Sequence, residues 1–122
     1  MPIEFDPHRP IYLQIIEEVK KRAVRGQYPP GCQLPSVREM AKAMEVNPNT
    51  MSRAYMELER EGFIATRRGQ GSFVTEESRR VEDERERLAA TARDRFVAEI
   101  RELGLDAGQV RTLLRDIEEG TR

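Results

Sequence analysis

Residues 36–62 read SVREMAKAMEVNPNTMSRAYMELEREG and contain two helix starts in close succession. Ser36 and Glu39 form a capping-box pattern, in which the serine hydroxyl accepts from a first-turn amide and the carboxylate reaches back to the serine amide. Asn47 precedes Pro48, and this pair combines a favourable N-cap with a proline at the first helical position. Two short helices joined by a tight turn predict a helix-turn-helix.

Apolar residues in these two helices recur at helical spacing, which predicts the faces that they bury. The first helix is expected to end near Met44 and the second at Glu61, with Gly62 as its left-handed terminator. The buried faces comprise Val37, Met40, Ala41 and Met44 in the first helix and Met51, Ala54, Tyr55 and Leu58 in the second. A further helix is predicted upstream, from Pro10 to Gly26, with an apolar stripe inward and its charges on the other faces. The stripe is Tyr12, Ile15, Ile16, Val19 and Ala23, and the charges are Glu17, Glu18, Lys20 and Lys21.

A hairpin is predicted immediately after the second helix of the helix-turn-helix. Residues 63–66 and 72–74 have the composition of short strands, and Arg67-Arg68-Gly69-Gln70-Gly71 lies between them. The two glycines permit the positive φ angles that a tight reversal requires. A two-stranded ribbon in this position is typical of a wing. The predicted fold class is therefore mainly α with a small β-wing, a winged helix-turn-helix over residues 1–75.

Residues 76–122 are expected to form a separate helical segment. Its first part, Glu77 to Arg87, is almost wholly charged and indicates a solvated connecting stretch. Two helices with apolar stripes follow, separated by Gly104, and Asp106 can cap the second. The stripes are Leu88, Ala92, Phe96, Ile100 and Leu103 in one helix and Val110, Leu113, Leu114 and Ile117 in the other. Two helices of this size cannot enclose both stripes, which predicts a dimerisation segment and hence a homodimer.

Composition argues against several other classes of protein. The chain has 122 residues with one cysteine, Cys32, and one histidine, His8, so neither an intramolecular disulfide nor a zinc site is expected. No run approaches the ~18 apolar residues of a membrane span, and the N-terminus lacks the profile of a secretion signal. We therefore expect a cytoplasmic protein without membrane contact. No metal, cofactor or catalytic constellation is indicated, which argues against an enzyme.

Bulk charge provides little evidence for a nucleic-acid partner, because residues 1–75 hold 11 Lys or Arg against 9 Asp or Glu. The evidence for a nucleic-acid interface has to come from the positions of individual side chains. The second helix of a helix-turn-helix reads the major groove through its outward N-terminal side chains. Once the buried face is removed, the outward residues are Asn49, Thr50, Ser52 and Arg53. Asparagine can pair bidentately with adenine and arginine with guanine, while threonine and serine suit a base or a phosphate.

Other residues extend this predicted surface, each with a structural alternative. Asn47 either only caps its helix or also contacts DNA. At the tip of the wing, a narrow loop can approach the minor groove or phosphates, the alternative being a solvated turn. The residues of this tip are Arg67, Arg68, Gly69 and Gln70. Tyr55 is expected in the core with its hydroxyl at the rim.

Four ordered motifs carry a family resemblance. They are LPSVREMA at 34–41, VNPNT at 46–50, AYMELEREGFI at 54–64 and GQGSFV at 69–74, preceded by PIYLQI at 10–15. Together they resemble the DNA-binding domain of the GntR family of bacterial regulators. The short helical tail resembles the YtrA subfamily, whose members dimerise through two C-terminal helices and often regulate transporter operons.

The resemblance implies that Arg38, in the first turn of the helix before the recognition helix, contacts DNA. It also implies an operator as partner. The chain departs from the commonest pattern, because many members have Ser-Arg-x-Thr where this sequence has Asn47-Pro48-Asn49-Thr50. The arginine of that pattern is absent, so the base preference of those members does not carry over.

The leading hypothesis is a sequence-specific dimeric regulator, acting as a repressor at an inverted-repeat operator. An alternative from another class is a winged-helix module that binds protein and has lost DNA binding. Arginines at both the recognition helix and the wing favour the DNA-binding hypothesis. The tail lacks the volume for a ligand pocket enclosed within one chain, although a small-molecule effector can still occupy a dimer interface.

Overall fold

The computed structural model describes residues 3–120, which form five helices and one two-stranded antiparallel sheet. In chain order these are α1 (Ile11–Val24), α2 (Val37–Met44), α3 (Pro48–Arg60), β1 (Ile64–Arg67), β2 (Gly71–Val74), α4 (Ser78–Leu103) and α5 (Ala107–Gly120). The predicted fold class, mainly helical with a β-wing after the helix-turn-helix, is confirmed. The ends of the two predicted segments, residues 1–2 and 121–122, lie outside the described residues.

The two helix starts that the sequence predicts are present with their caps. The Ser36 hydroxyl accepts from the Glu39 amide at 3.1 Å, and the Glu39 carboxylate accepts from the Ser36 amide at 3.0 Å. The side-chain oxygen of Asn47 accepts from the Asn49 amide at 2.7 Å, with Pro48 at the first helical position. Glu45 takes a left-handed conformation between the helices, with φ of 57°, which ends α2 and permits the tight turn.

The core of the winged-helix unit lies where α1, α2 and α3 meet the inner ends of the two strands. Tyr55 belongs to it, as expected, and its hydroxyl donates to the Pro35 carbonyl at 2.6 Å. Burial raises the pKa of this hydroxyl above its ordinary value, so that it remains a donor. The buried apolar residues are Ile15, Ile16, Val19, Ala23, Leu34, Met40, Ala41, Met44, Met51, Ala54, Tyr55, Leu58, Phe63, Ile64, Val74 and Val81.

The wing pairs β1 with β2 in the register Ile64 to Val74 and Arg67 to Gly71. Residues 32–34 of the linker before α2 pair with β2 along the side that β1 does not occupy. The Leu34 amide donates to the Ser72 carbonyl at 2.8 Å, and the Val74 amide donates to the Cys32 carbonyl at 2.9 Å. This pairing joins residues far apart in the chain, so local composition gives no sign of it.

Two charged residues of α1 are buried, which makes the expectation that Lys20 lies on an outward face wrong. Lys20 is 5% exposed and Arg22 is 7% exposed. The Lys20 ammonium lies 2.8 Å from the Glu61 carboxylate and 3.2 Å from that of Glu84. Glu61 directly follows α3 and Glu84 lies in α4. Lys20 therefore connects α1, the end of α3 and the start of α4 within the winged-helix unit. The helical periodicity of α1 indicated that Lys20 points outward. The carboxylates of Glu61 and Glu84 come from distant segments, so no local pattern shows that they pair with it.

The charged stretch from Glu77 to Arg87 is not a simple connection. It contains the start of α4, whose first turns belong to the winged-helix unit and bury Val81 against its core. The first compact unit accordingly ends at Glu86 and the second begins at Arg87. Most side chains of this stretch are exposed, as expected, but those of Val81 and Glu84 are not.

The second unit contains the rest of α4 and all of α5. Asp106 and Gln109 cap α5 reciprocally, with each backbone amide donating to the other residue's side chain at 2.9 Å. No side chain described between Arg87 and Gly120 is buried. Among residues 3–120, no helix is long and apolar enough to cross a membrane, and no cluster of metal-ligating side chains occurs.

Candidate nucleic-acid interface

The first two turns of α3 present the polar side chains that the sequence singled out. Asn49 and Arg53 are exposed, while Thr50 and Ser52 are half-buried. None of the four belongs to the core. Asn47, also exposed, uses its side-chain oxygen as the cap, so that only its amide nitrogen remains to donate to DNA. The outward face of α3 therefore carries amide, hydroxyl and guanidinium groups, which match the hydrogen-bonding groups on base edges.

Arg38 lies in the first turn of α2 and is exposed. Its neighbour Glu39 is committed to the cap, where the Ser36 amide and hydroxyl hold the pKa of the Glu39 carboxyl below its ordinary value. Within residues 3–120, the Arg38 guanidinium has no carboxylate partner in reach. It is thus available to a phosphate.

The two adjacent arginines of the wing differ in their surroundings. The Arg67 guanidinium lies 4.5 Å from the Phe73 ring centroid and 3.0 Å from the Glu76 carboxylate, so it is held against the base of the wing. Arg68 is exposed at the tip, and no ion pair engages it in the described part of the chain. Of this predicted pair, Arg68 is the one whose charge is free for DNA.

Two cavities show which of the predicted elements share a surface. A cavity of about 700 Å³ lies between the start of α2 and the wing, and Ser36, Glu39, Gln70 and Gly71 contribute to its walls. A second, of about 210 Å³, is lined by Ser52 of α3 together with Thr66 and Ser72 of the wing. The start of α2, the outward face of α3 and the wing therefore border one another on one side of the winged-helix unit.

Sequence reasoning missed the contacts that hold the wing in place. The Gln33 side-chain amide donates to the Gln70 carbonyl at 2.7 Å. Gly71 has a φ of 118°, and a Cβ there would come within 2.7 Å of the Gln33 amide nitrogen, so this position needs glycine. The Thr66 amide donates to the Glu59 carboxylate of α3 at 3.1 Å. No local sequence motif predicts these contacts.

Tyr12 of α1 was also missed as a candidate for this surface. It was assigned to the inward stripe, but it is only half-buried, and the Arg53 guanidinium carbon lies 3.8 Å from its ring centroid. The two residues are 41 positions apart, so helical spacing gives no sign of the contact.

Comparison with known proteins shows which family the chain resembles. The family model described as bacterial regulatory proteins of the gntR family matches residues 11–74, from the start of α1 to the end of β2. An HTH-type transcriptional regulator named YhcF from Bacillus subtilis is 42% identical over 120 residues, which is 98% of this chain and 99% of that protein. The HTH-type transcriptional repressor YtrA from the same organism is 49% identical over 79 residues, covering 63% of this chain and 61% of that protein.

A solved structure with a similar fold also belongs to the GntR family. A GntR family transcriptional regulator from Listeria monocytogenes aligns with a TM-score of 0.82 and 38% identity, covering 92% of this chain and 98% of that one. These relatives are named as transcriptional regulators, in agreement with the function that the sequence predicts. The chain belongs to the GntR family, with YtrA and YhcF among its relatives, and it is a DNA-binding transcriptional regulator.

Proposed function

We propose that the protein is a dimeric repressor that binds an inverted-repeat operator in the cytoplasm. Residues 1–75 are the DNA-binding domain, in which residues 47–61 read the major groove and the wing, residues 63–74, contacts the adjacent backbone or minor groove. Residues 76–122 are the dimerisation segment, with the interface formed by the apolar stripes from Leu88 onward, while its residues up to Glu86 also pack within the winged-helix unit. The observation that carries the DNA-binding assignment is that the start of α2, the outward face of α3 and the wing border one another and that each carries an exposed polar side chain, Arg38, Asn49 and Arg68 respectively.

The apolar side chains of the second unit support the dimer. Leu88, Phe96, Ile100 and Val110 are only half-buried, and the other five stripe residues are exposed. Leu103 is 73% exposed and Leu114 is 54% exposed. Burying one such side chain contributes roughly 1.5–3 kcal/mol, so nine positions in each of two chains are sufficient for tight association. A two-fold dimer places one recognition helix in each half of a palindrome.

Steric exclusion of polymerase is the proposed route to repression. A bound dimer across a promoter blocks access without needing an activation surface. A transcription assay on a promoter that carries the selected operator tests this directly. Addition of the protein is expected to lower transcript yield, and a rise would contradict repression.

Arg38→Ala and Arg68→Ala are each expected to weaken operator binding by the dimer about 100-fold. A hydrogen bond to a charged group contributes about 1.5 kcal/mol and 1.4 kcal/mol corresponds to a factor of ten, and each substitution removes one such contact from each half-site. The measurement is affinity for a duplex selected from a random pool by the parent protein, at fixed salt. Helix content by circular dichroism should stay unchanged, because both side chains lie outside the core.

Arg67→Ala is the matched control for this pair. Its guanidinium is engaged by Phe73 and Glu76, so its removal is expected to weaken binding less than removal of Arg68. Parental affinity in both the Arg38 and the Arg68 variant would show that the binding surface lies elsewhere.

Asn49→Ala is expected to relax base preference as well as affinity. A bidentate contact to a base is worth about 1–3 kcal/mol of discrimination, whereas a lost phosphate contact weakens all sequences about equally. The measurement is the ratio of affinity for the selected duplex to affinity for unrelated DNA. Equal losses on both duplexes would mean that Asn49 only positions the backbone.

A further inference from the structure

The outward face of α3 has two different flanks. On one side, Ser52 shares a groove with Thr66 and Ser72 of the wing. The adjacent Arg53 instead contacts α1, where its guanidinium carbon lies 3.8 Å from the Tyr12 ring centroid. At this distance the cation interacts with the negative face of the aromatic ring.

The stacked geometry leaves the binding capacity of Arg53 intact. A guanidinium stacks through its planar face, whereas its five N–H donors point outward along its edge. Arg53 is exposed, and within residues 3–120 no carboxylate or carbonyl accepts from it. Tyr12 is half-buried and packs against the core, so its ring is a fixed support for the arginine. An exposed, oriented edge of N–H donors suits an anion with several oxygens, such as a phosphate.

We propose that Tyr12 is a positioning residue that holds Arg53 for a DNA phosphate on the α1 side of the recognition helix. The inference rests on the proposed operator binding and extends that surface from α3 and the wing to the start of α1. Arg53 was expected to suit guanine, but its guanidinium lies against the Tyr12 ring of α1. Most hydrogen bonds between proteins and DNA go to the phosphate and sugar backbone, so a guanidinium held beside α1 suits a phosphate.

Stacking also explains why a tyrosine is useful at this position. A free arginine has many rotamers, and ordering it on binding costs affinity. An arginine already held on a ring has lost most of that freedom before DNA arrives. Removal of the ring is therefore expected to weaken binding about three- to tenfold, although Tyr12 itself need not touch DNA.

The test uses the whole chain and the duplex selected by the parent protein, with affinity measured at several salt concentrations. Tyr12→Leu removes the aromatic face, Tyr12→Phe retains it, and Arg53→Ala removes the cation. Tyr12→Leu and Arg53→Ala are both expected to weaken binding, and their double variant is expected to bind no more weakly than Arg53→Ala alone. Tyr12→Phe should restore parental affinity. Loss of one phosphate contact in each half-site should also reduce the slope of log affinity against log salt by about 1.8 in Arg53→Ala, which is about 0.9 per contact, with base preference unchanged.

Several results would overturn the inference. Additive losses in the double variant would show that Tyr12 acts independently of Arg53. Weak binding by Tyr12→Phe would assign the contact to the tyrosine hydroxyl, and altered base preference in Arg53→Ala would assign Arg53 to a base. If thermal unfolding shows that Tyr12→Leu is not folded, Arg53→Lys replaces that variant as the test of stacking. Lysine keeps the charge without the planar face, and parental affinity in that variant would contradict the role of stacking.

Failure of this inference is distinguishable from failure of the proposed function. If the parent protein selects and binds a duplex but the Tyr12 and Arg53 variants match it, only the positioning role is lost. If the parent selects no duplex, operator binding itself is wrong and the positioning role falls with it.

Discussion

Replacing Phe96 and Leu113 together by glutamate is expected to convert the proposed dimer into a monomer that binds one half-site weakly. Both side chains belong to the apolar stripes of the second unit, in which no described side chain is buried. In a dimer interface each glutamate would bury a charge without a partner as well as losing apolar contact. Linked half-site binding gains 10²–10⁴ in avidity, so the full operator is expected to be bound at least ~100-fold more weakly.

Sedimentation without DNA and affinity for the full operator are the two measurements. A matched control places the same charges on the same helices away from the stripes, at Ala98→Glu with Thr112→Glu, both of which are exposed. This control should remain a dimer with parental affinity. A parent chain that sediments as a monomer at micromolar concentration would contradict the proposed assembly.

Lys20→Ala is expected to lower the free energy of unfolding by about 3 kcal/mol. The lysine is 5% exposed, and its ammonium contacts both Glu61 and Glu84. The Glu84 side chain is only 13% exposed, so removal of the ammonium leaves a largely desolvated carboxylate without this cation. Breaking a buried ion pair from one side costs about 3–5 kcal/mol. The lower value applies because the Glu61 side chain is 44% exposed and can be solvated.

Urea unfolding of the parent and the variant measures this loss. Lys21→Ala is the matched control, because the adjacent lysine is 48% exposed and pairs with Glu17 on the surface of α1. Its effect is expected to stay within about 0.5 kcal/mol. Equal unfolding midpoints for Lys20→Ala and Lys21→Ala would show that the buried cluster contributes nothing to stability.

Local rules were enough to predict the helix-turn-helix and its wing. The capping box at Ser36 and the Asn47-Pro48 start lie where their sequence patterns placed them, because capping joins residues only two or three positions apart. The apolar stripes of α2 and α3 form the core as predicted. Fold class and family were therefore accessible from the sequence, whereas the roles of individual DNA-contacting and dimerisation residues remain predictions.

Charged side chains were the least predictable part of the chain. A charge in an amphipathic helix is solvated unless a distant segment brings a partner, and nothing near Lys20 indicates that Glu61 and Glu84 will do so. The same reasoning failed to separate Arg67 from Arg68, because the Glu76 carboxylate engages only the first of them. Adjacent arginines with identical chemistry thus differ in their availability to DNA.

The elements of this protein, their order and the faces that they bury could be predicted from local sequence patterns. These properties follow from hydrogen bonds and side-chain spacing within single helices and turns, where the partners are close along the chain. Which charged and polar side chains are engaged by other residues depends instead on the tertiary packing. Lys20 meets Glu61 across 41 positions, and Gln33 meets the wing at Gln70 across 37. Such contacts depend on how completed elements pack together, and no local pattern encodes them.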